Sequence, residues 1–582
     1  MTKFKKSVRV LLMSTLVLSL VGCGKANNAG NKNNTTNPET ENVQTEVTLQ
    51  QIEANLISVG TFQKQVKEAL GIETVESIYT MDYQDQAQAL IDEYKSSAEY
   101  SLENPLFILN PYGTNRTGVY AYFNTKEATN ITYTVSVEDE NIADFTATLY
   151  SNEEGTPVTE HEGQIIGLIQ GYVNTLTFEA TDANGTVIAK TQYELNIPNF
   201  GTLDKLYFEA VETGDMTQIS EGLFTILDYD LQDSEEYSHI LVTDNNGVIR
   251  AEIILDSIKQ SPVVEFIDGN FVFAFDASKI GSMNNLGRVE KIYDLGQYKY
   301  HHDMEYNPSN NTLVILADDS ERDTIEEIVI SLDMETGEIS MAADFEVLMK
   351  DIMDRATRPE VNMMYSSEFD WIHFNSVAFI NDTDILLSSR ELSSLIRVDN
   401  IYVNPTVSSI IADELLWEDT AYADLVYKKG NEFSSHAGQH NLTIIHDDSL
   451  EEGQYYVTLF NNNWGSAPTW PEFDWSQLEG VNLDRNAVTE GNMGSAWYKY
   501  LVDDNAKTYT LVDKVELPYA GFVSNAIQMP NGNIEFASGS SSMVFGEYDS
   551  EGNVIVEYSF APDSFVGAYR AMKFTYKGFW FN

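Results

Sequence analysis

The feature that most constrains this chain is a plan that recurs in its second half: a polar head, an apolar strand, a tight turn and a second apolar strand. It begins at His302, again at His373, again at His440 and a fourth time at Ser524, so successive heads lie 71, 67 and 84 residues apart. WD40 and kelch blades repeat at about 40–50 residues, but a longer period suits four-stranded blades with long loops. Two fainter copies precede these, at residues 217–226 and 263–272. The expectation is an all-β chain with a six-bladed β-propeller over residues 200–582. Turn pairs such as Asn246-Gly247, Asp268-Gly269 and Asn531-Gly532 support it. Short helices are expected near 345–356 and 412–425.

Upstream, the pattern changes twice. Residues 104–199 hold short β-rich pieces separated by Asn, Asp and Gly, as a small antiparallel sandwich would. Residues 47–103 place apolar side chains at helical spacing, as in Leu49, Ile52 and Leu56 and in Ala87, Leu90, Ile91 and Tyr94, with a break near Gly71. The first 23 residues read as an address. A basic start (Lys3, Lys5, Lys6, Arg9) leads into an apolar run over 10–21 that is short for a membrane span. The run ends in Leu20-Val21-Gly22-Cys23, which matches a bacterial lipobox. Cys23 would then be the lipid attachment point of an exported protein held on the outer face of the cell membrane. It is also the only cysteine, so no disulfide within the chain is possible. Residues 24–46, rich in Asn, Thr and Gly, read as a flexible tether.

The formal charge is -56. Such a chain repels nucleic acid and anionic lipid heads. A site for an anionic substrate would need its own positive potential, which makes each Arg and His in a motif informative. Eight histidines are present, and six of them fall between residues 301 and 446. His302, His373 and His440 head three consecutive repeats. In a propeller those positions sit at one height around the axis and converge on the channel mouth. A lone histidine is more often a core residue; three in register are harder to explain by packing. Imidazoles in a ring could bind a metal or do covalent chemistry. Arg390 argues for the second, because the strand ending Ser388-Ser389-Arg390 returns toward the end where His373 begins. A guanidinium repels a metal ion but donates paired hydrogen bonds to an oxyanion. Asn375, two residues after His373, adds an amide on the same face.

At these residues the sequence resembles the bacterial arylsulfate sulfotransferases that work without the nucleotide sulfate donor PAPS. The matching pieces are His301-His302-Asp303, the run from Asp370-Trp371 through His373 to Asn375-Ser376, Ser388-Ser389-Arg390, Gln439-His440, Phe460-Asn461-Asn462 and Ser524-Asn525. Leu109-Asn110-Pro111-Tyr112-Gly113 resembles that family's N-terminal sandwich, and the likeness runs from about residue 104 to the C-terminus. The resemblance implies ping-pong transfer of a sulfuryl group from an aryl sulfate donor to a phenolic acceptor, with no cofactor or metal. His440 would be the nucleophile, and His302, His373, Asn375 and Arg390 would hold the sulfuryl oxygens, with an imidazole also serving in proton transfer. His301 competes with His302 as a site residue, His436 competes with His440, and Tyr112 and Trp371 are candidates to touch an aryl ring. Proteobacterial members carry a disulfide near the nucleophile that this chain cannot form. A homodimer through the sandwich is conceivable. The competing readings are a metal-dependent propeller enzyme using the same histidines and a non-catalytic surface lipoprotein that binds ligand through its propeller.

Overall fold

The computed structural model describes residues 47–582 apart from 204, 230–238, 257–262, 360–367 and 561–566. The address, Cys23 and the tether lie outside the described residues. Among those described, no helix is long and apolar enough to cross a membrane.

Two helices open the folded part. Val59–Leu70 starts where the Ser58 hydroxyl accepts from the Thr61 amide and stops at Gly71, whose φ of 70° only glycine adopts freely. Met81–Ser97 is capped in the same way by Thr80. Leu49, Ile52 and Leu56, expected on a helix, lie instead on strands. Leu49–Ile52 runs parallel to Lys190–Tyr193, and Leu56–Ile57 to Phe107–Ile108. Open sheet edges offer a ladder of backbone partners, and that outweighs a spacing shared by only three side chains.

The sandwich turns on the 18-residue strand Val119–Ser136. Its first half pairs with Leu106–Leu109 and Val158–Ile165, its second half with Val173–Thr181 and Phe145–Thr148. The register shifts between Asn124 and Thr129, where the strand passes from one layer to the other. Ile131, Tyr133 and Val135 then alternate inward onto Phe178 and Tyr193.

Six blades follow. Four of the sheets run in simple chain order: those starting at Val264–Ile267, Tyr298–Asn307, Phe374–Phe379 and, with Lys428–Lys429 added outside, His440–Ile445. The other two close the ring. In the first blade the innermost strand is the C-terminal one, Arg570–Phe574, paired to Leu223–Tyr229. In the sixth, Asn525–Gln528 to Val554–Ser559, the strand Glu209–Thr213 adds a fifth, outer member. The copy expected at 217–226 therefore needs correcting. It contains a 3-10 turn and the start of a second strand, and holds no inner-strand head. Helices form at Phe345–Leu348 and Lys350–Arg355 as expected. Over 412–425 there are only the 3-10 turns Glu414–Leu416 and Ala423–Leu425. Trp417 is buried there with its Nε1 donating to Ser394 Oγ at 2.9 Å, and this anchor fixes the segment in a form that a regular helix would not give.

Candidate active site

The heads of four inner strands share an unusual backbone. His302, His373, Asn441 and Ser524 have φ of 53°, 51°, 49° and 94°. The ladder shifts register beside the first three, between Tyr300 and Met304, Phe374 and Ser376, and His440 and Thr443. A non-glycine residue in this region costs about 1–3 kcal/mol, and such strain concentrates where a side chain must be re-aimed. Side chains stitch the inner strands together: Asn375 Nδ2 donates to the Gln439 carbonyl at 2.8 Å, and Leu442 N donates to Ser376 Oγ at 3.0 Å.

His440 is held in one tautomer. Its Nδ1 lies 2.8 Å from Asn462 Oδ1 and 3.1 Å from the Gly438 carbonyl. The Asn462 amide cannot be the other way round, because its Nδ2 donates to the carbonyls of Ala520 (2.7 Å) and Val523 (3.0 Å). Both partners of Nδ1 are thus acceptors. The ring carries its proton there and its lone pair on Nε2. Burial pushes the His440 pKa well below the usual histidine value. The bond to Asn462 works the other way, while nearby His373, His302 and Arg390 lower it further. A neutral imidazole with a bare Nε2 at pH 7 is a nucleophile ready to act.

His302 and His373 form a pair with rings 5.1 Å apart. His373 Nδ1 donates to Asp370 Oδ2 at 2.6 Å and lies 2.6 Å from Glu326 Oε2, while His302 Nε2 is 3.4 Å from Glu326 Oε1. Burial opposes a charge on His373, but the two carboxylates outweigh it and hold its pKa up at about 10. For Glu326, burial works to raise the pKa, yet the facing imidazoles keep it well below the ordinary value. Tyr569 links this pair to His440: its ring stacks on His302 at 5.5 Å and meets His440 edge-on at 6.3 Å.

The remaining expected residues divide. Arg390 does return to His373, its amide donating to the His373 carbonyl at 3.0 Å. Its guanidinium pairs with Glu391 and lies 4.5 Å from the centre of the Trp464 ring. His301 is fully buried with its ring 5.2 Å from that of His302, and burial pulls its pKa down to about 3. His436 faces Tyr500, with Nδ1 3.1 Å from the hydroxyl, and makes no ring contact with the His302–Tyr569–His440 group. Tyr112 packs between the helices and the sandwich, its hydroxyl donating to Gln88 Oε1 at 2.7 Å, and Trp371 is buried in the core beneath the fourth blade. Two triplets, His301–His302–Glu326 and Glu326–Asp370–His373, bring ligand-type atoms within 4.8 Å of one another, a spacing at which a cation could also be held.

Sequence reasoning missed Glu326, Asn462's locking role and Tyr569. Tyr569 precedes the strand that closes the ring, so it occupies the head position of the first blade; treating the last strand as the innermost of the first blade would have found it. Glu326 stands in a loop outside the repeat and left no periodic signal.

Comparison with known proteins gives two family matches, "Arylsulfotransferase (ASST)" over residues 202–568 and "Arylsulfotransferase Ig-like domain" over 106–198. No curated protein matches the chain. Similar solved structures include the WD40 domain of Toxoplasma gondii coronin, at 12% identity and a TM-score of 0.31, covering 62% of this chain and 74% of that one. A protein of unknown function from Bacteroides caccae aligns at 9% identity and a TM-score of 0.34, covering 61% and 99%. Virginiamycin B lyase from Staphylococcus aureus aligns at 12% and 0.28, covering 62% and 90%.

Proposed function

The chain belongs to the arylsulfotransferase (ASST) family, and on that premise we propose that it moves a sulfuryl group from an aryl sulfate to a phenol through a transient sulfohistidine at His440. Family membership supports aryl sulfotransferase activity in general; the route is argued from the site. His440 Nε2 attacks sulfur, the N–S bond forms as the bond from sulfur to the aryl oxygen breaks, and the electron pair leaves on the phenolic oxygen. The departing phenolic oxygen takes a proton from a neighbouring imidazole; the acceptor phenol then attacks the same sulfur as it gives its own proton back to that imidazole, and the N–S pair returns to His440. Splitting the transfer this way replaces one difficult displacement by two easier ones. His302, His373 and Arg390 hold the sulfuryl oxygens, and such donors stabilise the charge that develops in transfer. Asn375, tied to the Gln439 carbonyl, sets the spacing between His373 and His440.

One observation carries this reading over a purely structural one: the tautomer lock that leaves Nε2 of a neutral, buried His440 free of its proton. The test is intact mass after an aryl sulfate is added without acceptor. One added sulfuryl group, absent from His440→Ala, is the expected result. An unmodified wild-type protein that still turns over donor and acceptor would sink the covalent route. Export with lipid attachment at Cys23 belongs to the same proposal, which would be lost if Cys23→Ser left the protein as firmly membrane-bound as before.

A further inference from the structure

The fifth blade carries a long insertion. Residues 462–494 join Gln454–Asn461 to Ser495–Asp503 and hold three of the chain's seven tryptophans. A loop of that length inside a compact domain is more often functional than a spacer. It emerges at the end of the propeller where the catalytic histidines lie, because Phe460 pairs with His440. The turn at 390–393 and the segment from 412 emerge there too, since Ser389 pairs with Phe374 and Ser394, and Ile411 with Leu395. These pieces close around a cavity of about 340 Å³, walled by Trp417, Trp470, Phe473 and Trp475 and lined also by Leu392 and Glu391.

The walls are held in place. Phe473 and Trp475 meet edge-on with ring centres 5.0 Å apart, and the Thr469 hydroxyl donates to Glu391, which ties the insertion to the fourth blade. Trp470 and Trp475 each have a buried indole N–H that, among the described residues, finds no hydrogen-bond partner. A buried donor left unpaired is unfavourable, and an oxygen bound in the cavity would relieve it. Glu391 is 3% exposed and pairs with Arg390. A second link runs from Trp417 Nε1 to Ser394 Oγ (2.9 Å). The neighbouring Ser393 Oγ accepts from Gly438 N at 3.1 Å, and the Gly438 carbonyl lies 3.1 Å from His440 Nδ1.

We propose that this cavity is a ring site beside the catalytic opening: it holds the remote ring of a two-ring phenol while the reacting oxygen of that molecule lies at His440. This rests on the sulfuryl-transfer reading above. Flat aromatic walls favour a flat aromatic ring, through stacking and edge-on contact. The two indole donors match an oxygen on that ring, and Glu391 selects its form. A neutral hydroxyl can accept from an indole and donate to the carboxylate, whereas a remote carboxylate meets a buried negative charge. A single-ring phenol reaches only the catalytic opening and gains nothing from these contacts, so two-ring phenols are the preferred acceptors.

The test uses full-length protein labelled with fluorotryptophan and p,p′-biphenol as probe, with no sulfate donor present. The fluorine resonances of Trp470 and Trp475, assigned with Trp470→Leu and Trp475→Phe, should shift to saturation in the wild type. Each substitution should weaken binding about tenfold, since one removes an aromatic wall and the other an indole donor. In wild type alone, by calorimetry, the analogue in which a carboxylate replaces one hydroxyl should bind about tenfold more weakly than p,p′-biphenol. With p-nitrophenyl sulfate as donor, the ratio of kcat/KM for p,p′-biphenol over phenol should fall in whichever variant folds. Absence of binding, unmoved resonances, equal affinity for the two probes, or unchanged affinity in a folded variant would each overturn the ring site. An enzyme that gives any of those results yet still transfers sulfuryl groups keeps the functional reading. Saturable, variant-sensitive binding in a protein without transfer activity would do the reverse.

Discussion

At the scale of single residues, the site depends on which nitrogen of His440 holds the proton, and Asn462 decides that. Its Oδ1 can only accept, because the amide nitrogen already serves two backbone carbonyls. Asn462→Leu should leave the ring free to place its proton on Nε2, which removes the nucleophilic lone pair from the reacting side. Proton placement by a positioned group is worth about 10²–10⁴-fold in rate, so a loss of about 10²-fold in the rate of sulfo-enzyme formation is expected. KM for the donor should change little, since Asn462 contacts His440 at Nδ1 and not at Nε2. Rapid-quench measurement of the covalent intermediate checks this. A variant slowed less than threefold would show that the Gly438 carbonyl alone sets the tautomer. The same depressed pKa predicts that His440 stays unprotonated on Nε2, as the proposed nucleophile must, through mildly acidic conditions, with the rate falling only well below pH 6.5.

At the scale of strands and blades, Arg570 holds the closing strand to the rest of the ring. It is 1% exposed; Nη1 reaches Asp303 Oδ1 at 3.1 Å on the third blade, and Nη2 donates to the Asn375 carbonyl at 3.0 Å on the fourth. Removing one member of a buried pair leaves the other uncompensated, so Arg570→Met should cost about 3–5 kcal/mol. Asp303→Asn in the same chain should recover part of that loss, giving a coupling energy of about 1 kcal/mol or more in a double-mutant cycle by denaturant unfolding. Strictly additive losses would mean that the two groups do not work as a pair. The same strand marks the limit of what sequence pattern revealed. The inner strands at His302, His373, His440 and Ser524 could be read because each is followed at once by its own hairpin, so polar head, turn and second strand lie in one continuous run. The first blade gave no such run, since its inner strand arrives from the other end of the chain. The helix expected over 412–425 failed for a related reason: apolar spacing records that residues are buried, and Trp417 is buried in the apolar cluster it shares with Leu387, Leu392 and Ile396 of the fourth blade, its indole nitrogen tied to Ser394.

Across the whole molecule, buried ionisable groups of two kinds pull stability in opposite directions with pH. Burial lowers the pKa of His301 and of His436 to about 3. Folded values below the unfolded one mean that their contribution is complete above about pH 6.5 and is lost as pH falls toward 3. Burial acts the other way on carboxyls, raising Glu327 to about 8 and Glu535 well above its ordinary value. Their contribution is complete below about pH 4.5 and is lost as pH rises through 8. Between pH 6.5 and 8.5 the contribution of His301 and His436 no longer changes, while that of His373, whose pKa is held up at about 10, is lost as pH rises in the same sense as the carboxyls, and self-repulsion among the excess acidic residues adds to it. The melting temperature should therefore fall over that interval. Added salt at about 0.5 M should recover the part due to surface repulsion, because exposed charges are screened at that strength, but not the part due to buried carboxyls. Glu327→Gln, which keeps the shape and removes the ionisation, should flatten the salt-resistant slope. Thermal unfolding of wild type and variant across this range, with and without salt, separates the two contributions. A melting temperature that is constant or rising from pH 6.5 to 8.5 would mean that these carboxyls reach water and ionise in the folded propeller without penalty. The burial that keeps the axial imidazoles neutral or paired would then be in doubt as well.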